Sequence, residues 1–147
     1  MKVVLDTNIF LSGWLWGGTP ELVLKLGGSR LIKICASEVL LNELQSTLNR
    51  SKFRSKLQDL RVTVNDLMSG IRELVEIHSI SPLDFPELRD AKDNMVLATA
   101  IAAEAEAIVT GDLDLLVLQE YQGIAIVTAR DFLDRYFPVL DRYFPES

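Results

Sequence analysis

The chain alternates between short apolar runs and longer segments with helical spacing. Five segments have the character of strands, and all but the third are near-continuous apolar runs: KVVLD, LIKICA, LVEIHSI, AIVTG and IAIVT. Between them lie helical patterns, including PELVLKLG after a cap at Thr19, a helix from a cap at Ser37 to about Asn49, and NMVLATAIAAEA. Alternating strands and helices predict βαβ units, and hence a mostly parallel sheet with helices on both faces.

The remaining segments complete this pattern. WLWGGTP is expected to be a loop, because two glycines and a proline interrupt the periodicity. Four further helices are predicted over KFRSKLQDL, TVNDLMSGIRELVE, DLDLLVLQ and ARDFLDRYF, and SPLDFPELRD is expected to be a loop. At 147 residues with 48% hydrophobic residues, the chain fits a single domain.

Four carboxylates fall where a charge is costly. Asp6 and Asp112 end apolar strands, Glu43 borders the apolar stripe of its helix, and Asp93 opens an apolar helix. In open parallel sheets the site lies beyond the carboxyl ends of the strands, where Asp6 and Asp112 are expected. Carboxylates gathered there need a cation, and Mg²⁺ or Mn²⁺ prefers oxygen ligands. The pattern predicts a divalent metal site, with phosphodiester hydrolysis as the chemistry.

Each acidic pair also has a local interpretation. Asp90 and Asp93 can form a reciprocal cap at the start of their helix, which leaves Asp93 able to bind a metal and Asp90 able to support it by hydrogen bonding. Either Asp112 or Asp114 can cap the following helix; Asp112 is nearer the strand end and is the first candidate for the metal site, with Asp114 as the auxiliary candidate. Glu38, in a first helical turn, is expected to face solvent.

The candidate residues for substrate binding each have two interpretations. The net charge of −6 is unusual for a nucleic-acid protein. The basic run NRSKFRSKLQDLR could face phosphates or be a solvated helix face, two readings of equal weight; its candidates are Arg50, Lys52 and Arg54. Trp14 and Trp16 could stack on bases, although covering the core edge explains at least one of them better.

Cysteine and histidine usage limits other chemistries. Cys35 is the only cysteine, so no intrachain disulfide can form, and its apolar strand predicts core packing. His78 is the only histidine and is not a candidate general base; a plain strand residue and another role have equal weight for it. With one cysteine and one histidine, a zinc shell is not expected. No apolar run approaches a membrane span and no leader pattern is seen, so a cytoplasmic protein without membrane contact is expected.

The motifs together resemble one family. VVLDTNIFLSG, SEVLLNELQSTL, RDAKDNMVLATAIAAEAEAIVTGDLDLL and IVTARDFL are similar to the PIN-domain family, and most similar to the VapC-like toxin ribonucleases. The resemblance covers residues 2–133 of a single PIN-like domain over 1–147, with 134–147 as a C-terminal extension. It implies a three-layer α/β/α sandwich, and a catalytic and metal-binding quartet of Asp6, Glu43, Asp93 and Asp112, with Asp114 at a less regular acidic position.

The resemblance has further implications. Asn8 and Thr110 match polar positions that would orient the carboxylates through hydrogen bonds; their local alternatives are a helix cap for Asn8 and a strand-end backbone contact for Thr110. The implied activity is Mg²⁺- or Mn²⁺-dependent cleavage of single-stranded or structured RNA, with one or two ions. The implied partners are a small cognate antitoxin and a second copy of the chain.

Two other function classes remain open. A phosphatase of the haloacid dehalogenase type would need a second Asp two residues after the first, and Asn8 stands there. A non-catalytic scaffold that binds RNA or a partner would not need all four acids.

Overall fold

The computed structural model describes residues 1–81 and 91–140 of the chain. In these ranges the strands are β1 Lys2–Leu5, β2 Lys33–Ala36, β3 Glu76–Ile77, β4 Ala107–Val109, β5 Glu120–Tyr121 and β6 Ile124–Val127. The helices are α1 Thr7–Leu15, α2 Gly18–Gly28, α3 Glu38–Leu48, α4 Arg54–Leu60, α5 Val64–Leu74, α6 Ala91–Ala103, α7 Leu113–Leu116 and α8 Ala129–Tyr136, and a 3-10 turn precedes α4 at Ser51–Phe53.

The six strands form one sheet in the order β3-β2-β1-β4-β6-β5. All pairs are parallel except the hairpin of β5 with β6. The strand order reverses at β1, which pairs with β2 on one side and with β4 on the other. In the register of β1 and β4, Leu5 lies opposite Val109, so Asp6 and Thr110 leave the sheet side by side. The topology therefore creates a crevice beyond the ends of β1 and β4.

Helices cover both faces of the sheet. Alternate strand residues point to opposite faces, so Val3 and Leu5 of β1 join one apolar cluster while Val4 joins the other. The first cluster includes residues of α1, α2, α3, α5 and α8, and the second is built largely on α6. The three-layer α/β/α architecture is thus confirmed.

Caps fix several helix starts. Ser37 accepts a hydrogen bond from the backbone N–H of Leu40 and so begins α3, as predicted. Thr63 and Asp66 form a reciprocal capping box at α5, with bonds of 3.0 and 2.9 Å. These local signals determine where the helices enter the sandwich.

The stretch predicted as the loop WLWGGTP is mostly helical. Helix α1 continues through Leu15, and α2 begins at Gly18 after Gly17, whose φ is +75°. Only a tight break separates the helices, because glycine adopts positive φ without strain. The predicted cap at Thr19 is wrong: Gly17 occupies the N-cap position, and Thr19 Oγ1 accepts a hydrogen bond from Arg130 at 3.2 Å.

The sheet edges also differ from the prediction. The strand expected over LVEIHSI contains only Glu76–Ile77, because α5 continues through Leu74. Strand β5 was not predicted; Gln122 and Gly123, both at positive φ, turn it into β6. At the predicted C-terminal extension, α8 runs to Tyr136 and Phe137 packs on Phe132, whereas 141–147 lie outside the described residues.

Nowhere in residues 1–81 or 91–140 is there a helix both long and apolar enough to cross a membrane.

Candidate metal centre

Asp6 stands at the junction of β1 and α1. Its backbone N–H donates to the Val109 carbonyl at 3.0 Å, which extends the β1–β4 pairing by one residue. The side chain is only 8% exposed. Burial raises the pKa of this carboxyl above its usual value; the hydrogen bond from Thr110 lowers it and the charge of Asp112 raises it, and the net shift is upward. The fold therefore holds a carboxylate where ionisation is costly.

Thr110 connects two of the acids. Its buried hydroxyl donates to Asp6 Oδ2 at 2.8 Å, and its Oγ1 accepts the backbone N–H of Asp112 at 3.0 Å. One side chain thus orients the Asp6 carboxylate and fixes the turn that carries Asp112. The bonding is more than a local strand-end contact, because Asp6 and Thr110 are 104 residues apart in the chain.

Asp93, Asp112 and Asp114 form the acidic cluster of the site. One carboxylate oxygen from each lies within 4.8 Å of the others. Asp112 is the N-cap of α7 and accepts the Asp114 N–H through Oδ1 at 2.8 Å. Of the two predicted candidates, Asp112 and not Asp114 is therefore the cap of α7. Its carboxylate has a second oxygen, so capping is compatible with a role as metal ligand. Asp93 is 2% exposed, in the first turn of α6.

Asp6, Asp93 and Asp112 open into one cavity of about 120 Å³. The topology brings them there from the ends of β1 and β4 and the start of α6. The remaining lining residues are hydroxyl, amide and basic side chains: Thr7, Asn8, Thr47, Arg50 and Lys92. Asn8 lies within the first turn of α1, whose N-cap is Asp6, so the alternative that Asn8 caps this helix is wrong.

Glu43 reaches the border of this cavity and is not among its lining residues. Its Oε1 lies 3.0 Å from Lys92 Nζ and accepts a hydrogen bond from Thr47 Oγ1 at 3.3 Å. Lys92 and Thr47 themselves line the cavity. The fourth predicted acid is therefore joined to the site through an ion pair between α3 and α6.

Lys92 and Thr47 were not singled out in the sequence. Thr47 lies one helical turn after Glu43, and Lys92 directly precedes Asp93, so spacing alone offered a weak signal for both. Glu38 is exposed and forms a two-bond ion pair with Arg72, as expected for a residue outside the site. Asp90, predicted to support Asp93, lies outside the described residues.

Of the five residues predicted to contact a substrate, only Arg50 lines the acidic cavity. Lys52 is exposed, 5.1 Å from the Phe53 ring centre, and Arg54 is exposed at the start of α4. Trp14 packs on Phe10 at the edge of the core, which favours the structural interpretation. Trp16 is 65% exposed and packs edge-on against Phe53, with Lys56 near its ring. Neither tryptophan lines the acidic cavity.

The donor set fits a hard divalent cation. The clustered atoms of Asp93, Asp112 and Asp114 are all carboxylate oxygens. In an octahedral Mg²⁺ site with bonds of about 2.1 Å, ligand oxygens are roughly 3–4 Å apart. The three oxygens, which lie within 4.8 Å of one another, would reach that spacing after small side-chain rotations. Asp6 faces the same cavity and would complete such a site.

Sequence similarity identifies the family of the chain. The family model described as a PIN domain matches residues 2–114, more than half of the chain. The chain belongs to the PIN-domain family. Among curated proteins, no significant match to this PIN-domain chain is found.

One solved structure gives an independent view of the fold. A chain in the crystal structure of VapBC2 from Rickettsia felis, bound to a DNA fragment from the promoter, superposes with a TM-score of 0.58. The match covers 86% of this PIN domain chain and 97% of the other, at 19% sequence identity. At that identity the similarity shows a shared fold, in agreement with the three-layer sandwich.

Proposed function

We propose that this PIN-domain protein is a metal-dependent ribonuclease that cleaves single-stranded or structured RNA and is the toxin of a toxin–antitoxin pair. One observation carries the proposal: three carboxylates distant in sequence, which follow β1, follow β4 and open α6, share one small cavity at the switch point of the sheet. Membership of the PIN-domain family supports the same conclusion.

Each residue of the proposed site has a distinct task. Asp6, Asp93 and Asp112 would hold Mg²⁺ or Mn²⁺ as one or two ions, with Asp114 as an additional ligand. Bound there, the cation would neutralise charge on the phosphodiester and lower the pKa of the attacking water. Thr110 keeps Asp6 and the Asp112 turn in place, and Asn8 lines the same cavity from the first turn of α1.

The basic residues of the cavity suit an anionic substrate. Arg50 and Lys92 add positive charge beside the acids, and Lys92 neutralises Glu43. Arg50 is exposed and can meet a phosphate group on the RNA backbone. Lys92 and Thr47 hold Oε1 of Glu43, so Glu43 would join the metal ligands through its second carboxylate oxygen, turned towards the cavity.

The test is RNA cleavage in matched variants. Wild-type protein should cleave a labelled single-stranded RNA with Mg²⁺ or Mn²⁺ and lose this activity with chelator. Asp112→Asn should reduce cleavage about a hundredfold or more, beyond the effect typical of a supporting residue. The control Asp59→Asn changes an exposed acid of α4 and should leave cleavage unchanged. Undiminished cleavage with chelator, or in Asp112→Asn, would contradict the proposal.

The partner in this proposal is a small antitoxin that inserts a basic side chain into the acidic cavity. The similar fold found in the VapBC2 complex supports a partner of this kind. Beside Asp112 and Asp114, Leu113 at the start of α7 is 78% exposed and Val117, directly after α7, is 74% exposed; lying one turn apart, they offer an apolar contact. We also expect the chain to form a homodimer, measurable by sedimentation.

Expression in bacteria tests the toxin role separately from the chemistry. Wild-type protein should arrest growth and Asp112→Asn should not. If the neighbouring gene encodes a small antitoxin, its co-expression should restore growth. Growth unaffected by an active ribonuclease would overturn the toxin assignment and leave the nuclease assignment in place.

A further inference from the structure

The fold brings the only cysteine and the only histidine of the chain together. Cys35 in β2 lies opposite Glu76 in β3, and His78 follows Glu76 by two residues, so all three side chains point to the same face of the sheet. His78 stays aligned with β2 through its N–H, which donates to the Ala36 carbonyl at 2.9 Å. None of the three lines the acidic cavity.

The three side chains present one soft and two harder ligand atoms. The Cys35 sulfur, a Glu76 carboxylate oxygen and a His78 ring nitrogen all lie within 4.8 Å of one another. His78 Nε2 and Glu76 Oε1 are already 2.6 Å apart. Around tetrahedral zinc, with bonds of about 2.0 Å to nitrogen or oxygen and about 2.3 Å to sulfur, such atoms stand roughly 3.3–3.6 Å apart. Movements of about an ångström would therefore produce that arrangement.

We propose that Cys35, Glu76 and His78 form a second metal site, separate from the acidic cavity, for a borderline-soft divalent cation such as zinc. A sulfur, a nitrogen and an oxygen ligand leave the fourth tetrahedral position to water, as in zinc sites with three protein ligands. The single cysteine and histidine do not predict this in the sequence, because the third ligand is supplied only by the β2–β3 register.

Access and charge at this site can be read from its neighbours. Cys35 is buried, whereas the Glu76 and His78 side chains are 38% and 20% exposed, so a cation enters from the solvent side. Lys2 Nζ lies 3.2 Å from Glu76 Oε1 and supplies the positive charge there. A divalent cation displaces this ammonium, whose side chain is 43% exposed and free to turn into water. Lys2 therefore opposes metal binding.

Binding releases a proton. The Cys35 thiol donates weakly to the Lys33 carbonyl at 3.8 Å. On binding, the S–H proton passes to the solvent and the sulfur lone pair binds the cation, while a His78 ring nitrogen binds through its lone pair. No electron is transferred. The cation would join the two-residue strand β3 to β2 at the sheet edge.

Cobalt titration tests this site without depending on ribonuclease activity. With excess Mg²⁺ present to occupy the acidic cavity, Co²⁺ should produce the near-ultraviolet charge-transfer absorption of a cobalt–thiolate bond at one ion per chain, and Zn²⁺ should abolish that absorption. Asp112→Asn should give the same absorption as wild type. Zn²⁺ should also raise the melting temperature of both proteins.

Three variants separate the site from adventitious thiol binding. Cys35→Ser should lose the absorption, and His78→Gln, which can keep a hydrogen bond to Glu76, should bind Co²⁺ more than about tenfold more weakly. Lys2→Ala should bind it more tightly, and each fold is checked by circular dichroism. Absence of the absorption in folded wild type, or unchanged affinity in His78→Gln, would overturn the proposal.

Discussion

Asp6 is a buried carboxylate on which neighbouring groups act in opposite directions. Burial raises its pKa, the Thr110 hydroxyl lowers it, and the Asp112 charge raises it, with an upward net shift from 3.8. Because the folded-state pKa exceeds the unfolded value, ionisation of Asp6 destabilises the fold. The protonated Asp6 carboxyl therefore contributes stability that is fully present below the unfolded-state pKa and is lost as the pH rises through the folded-state pKa.

Replacing Asp6 with asparagine should therefore stabilise the metal-free protein at neutral pH. Asparagine keeps an oxygen for the Thr110 hydroxyl and carries no charge. The gain in the free energy of unfolding relative to wild type should grow with pH by about 1.4 kcal/mol for each unit of pKa shift. Urea denaturation between about pH 3 and about pH 7 measures it. If the difference in the free energy of unfolding between the variant and wild type does not vary with pH, ionisation of Asp6 does not destabilise the fold.

Thr110 is expected to matter for both stability and activity. Thr110→Val removes the donor to Asp6 and the acceptor for the Asp112 N–H with little change in volume. The free energy of unfolding should fall by about 1–3 kcal/mol, because buried polar groups lose their hydrogen-bond partner. RNA cleavage should fall about tenfold to a hundredfold, because the carboxylates are no longer held in position. Thr110→Ser retains the hydroxyl and should recover most of both. Wild-type cleavage by the valine variant would contradict this role.

The sequence predicts some site residues better than others. Asp6 and Asp112 could be placed because each ends an apolar strand, and the ends of parallel strands meet at one edge. The position of Glu43 could not be derived to the same degree. Its ion pair with Lys92 depends on how α3 and α6 are rotated against each other, which tertiary packing decides.

At the element scale, α1 and α2 approach closely at Gly13. A Cβ there would lie 2.6 Å from Leu24 Cδ1 and 3.2 Å from backbone atoms of Pro20 and Glu21. Helix α1 carries Thr7 and Asn8 into the cavity, so this packing also positions the site.

Gly13→Ala should destabilise the protein by about 1–3 kcal/mol, because the backbone of α2 has to move. The matched control is Gly70→Ala in α5, where a Cβ meets nothing within 4 Å and removal of a helical glycine should stabilise by about 0.5–1 kcal/mol. Thermal denaturation of both variants checks the pair. Equal effects would mean that the α1–α2 contact is not tight.

Elements with strong local signals are the predictable ones. The apolar runs of β1, β2, β4 and β6 and the Ser37 cap of α3 were predicted because burial and capping leave direct marks in the sequence. Strand β5, only two residues long, is formed by its turn at Gln122 and Gly123 and has no periodicity of its own. The loop predicted between α1 and α2 was too long, because one or two glycines at positive φ are enough to break the helix.

At the scale of the whole molecule, the net charge of −6 opposes RNA binding unless positive charge is local. Arg50 provides it at the cavity. Arg50→Ala should weaken RNA binding and reduce the salt dependence, the slope of log K against log salt, by about 0.7 for one lost phosphate contact on a single strand. The control is Lys33→Ala, which removes a positive charge at the amino-terminal end of β2, away from the cavity. An unchanged slope in Arg50→Ala would remove Arg50 from the RNA path.

The central claim is that the fold gathers distant carboxylates into one site for a divalent cation. Its most direct test is calorimetric titration of metal-free protein with Mn²⁺, in wild type and in Asp93→Asn, Asp112→Asn and the surface control Asp59→Asn. We predict one or two bound ions in wild type and in Asp59→Asn, with affinity lost in both cavity variants. Equal Mn²⁺ binding in all four proteins, or none in wild type, would contradict the account.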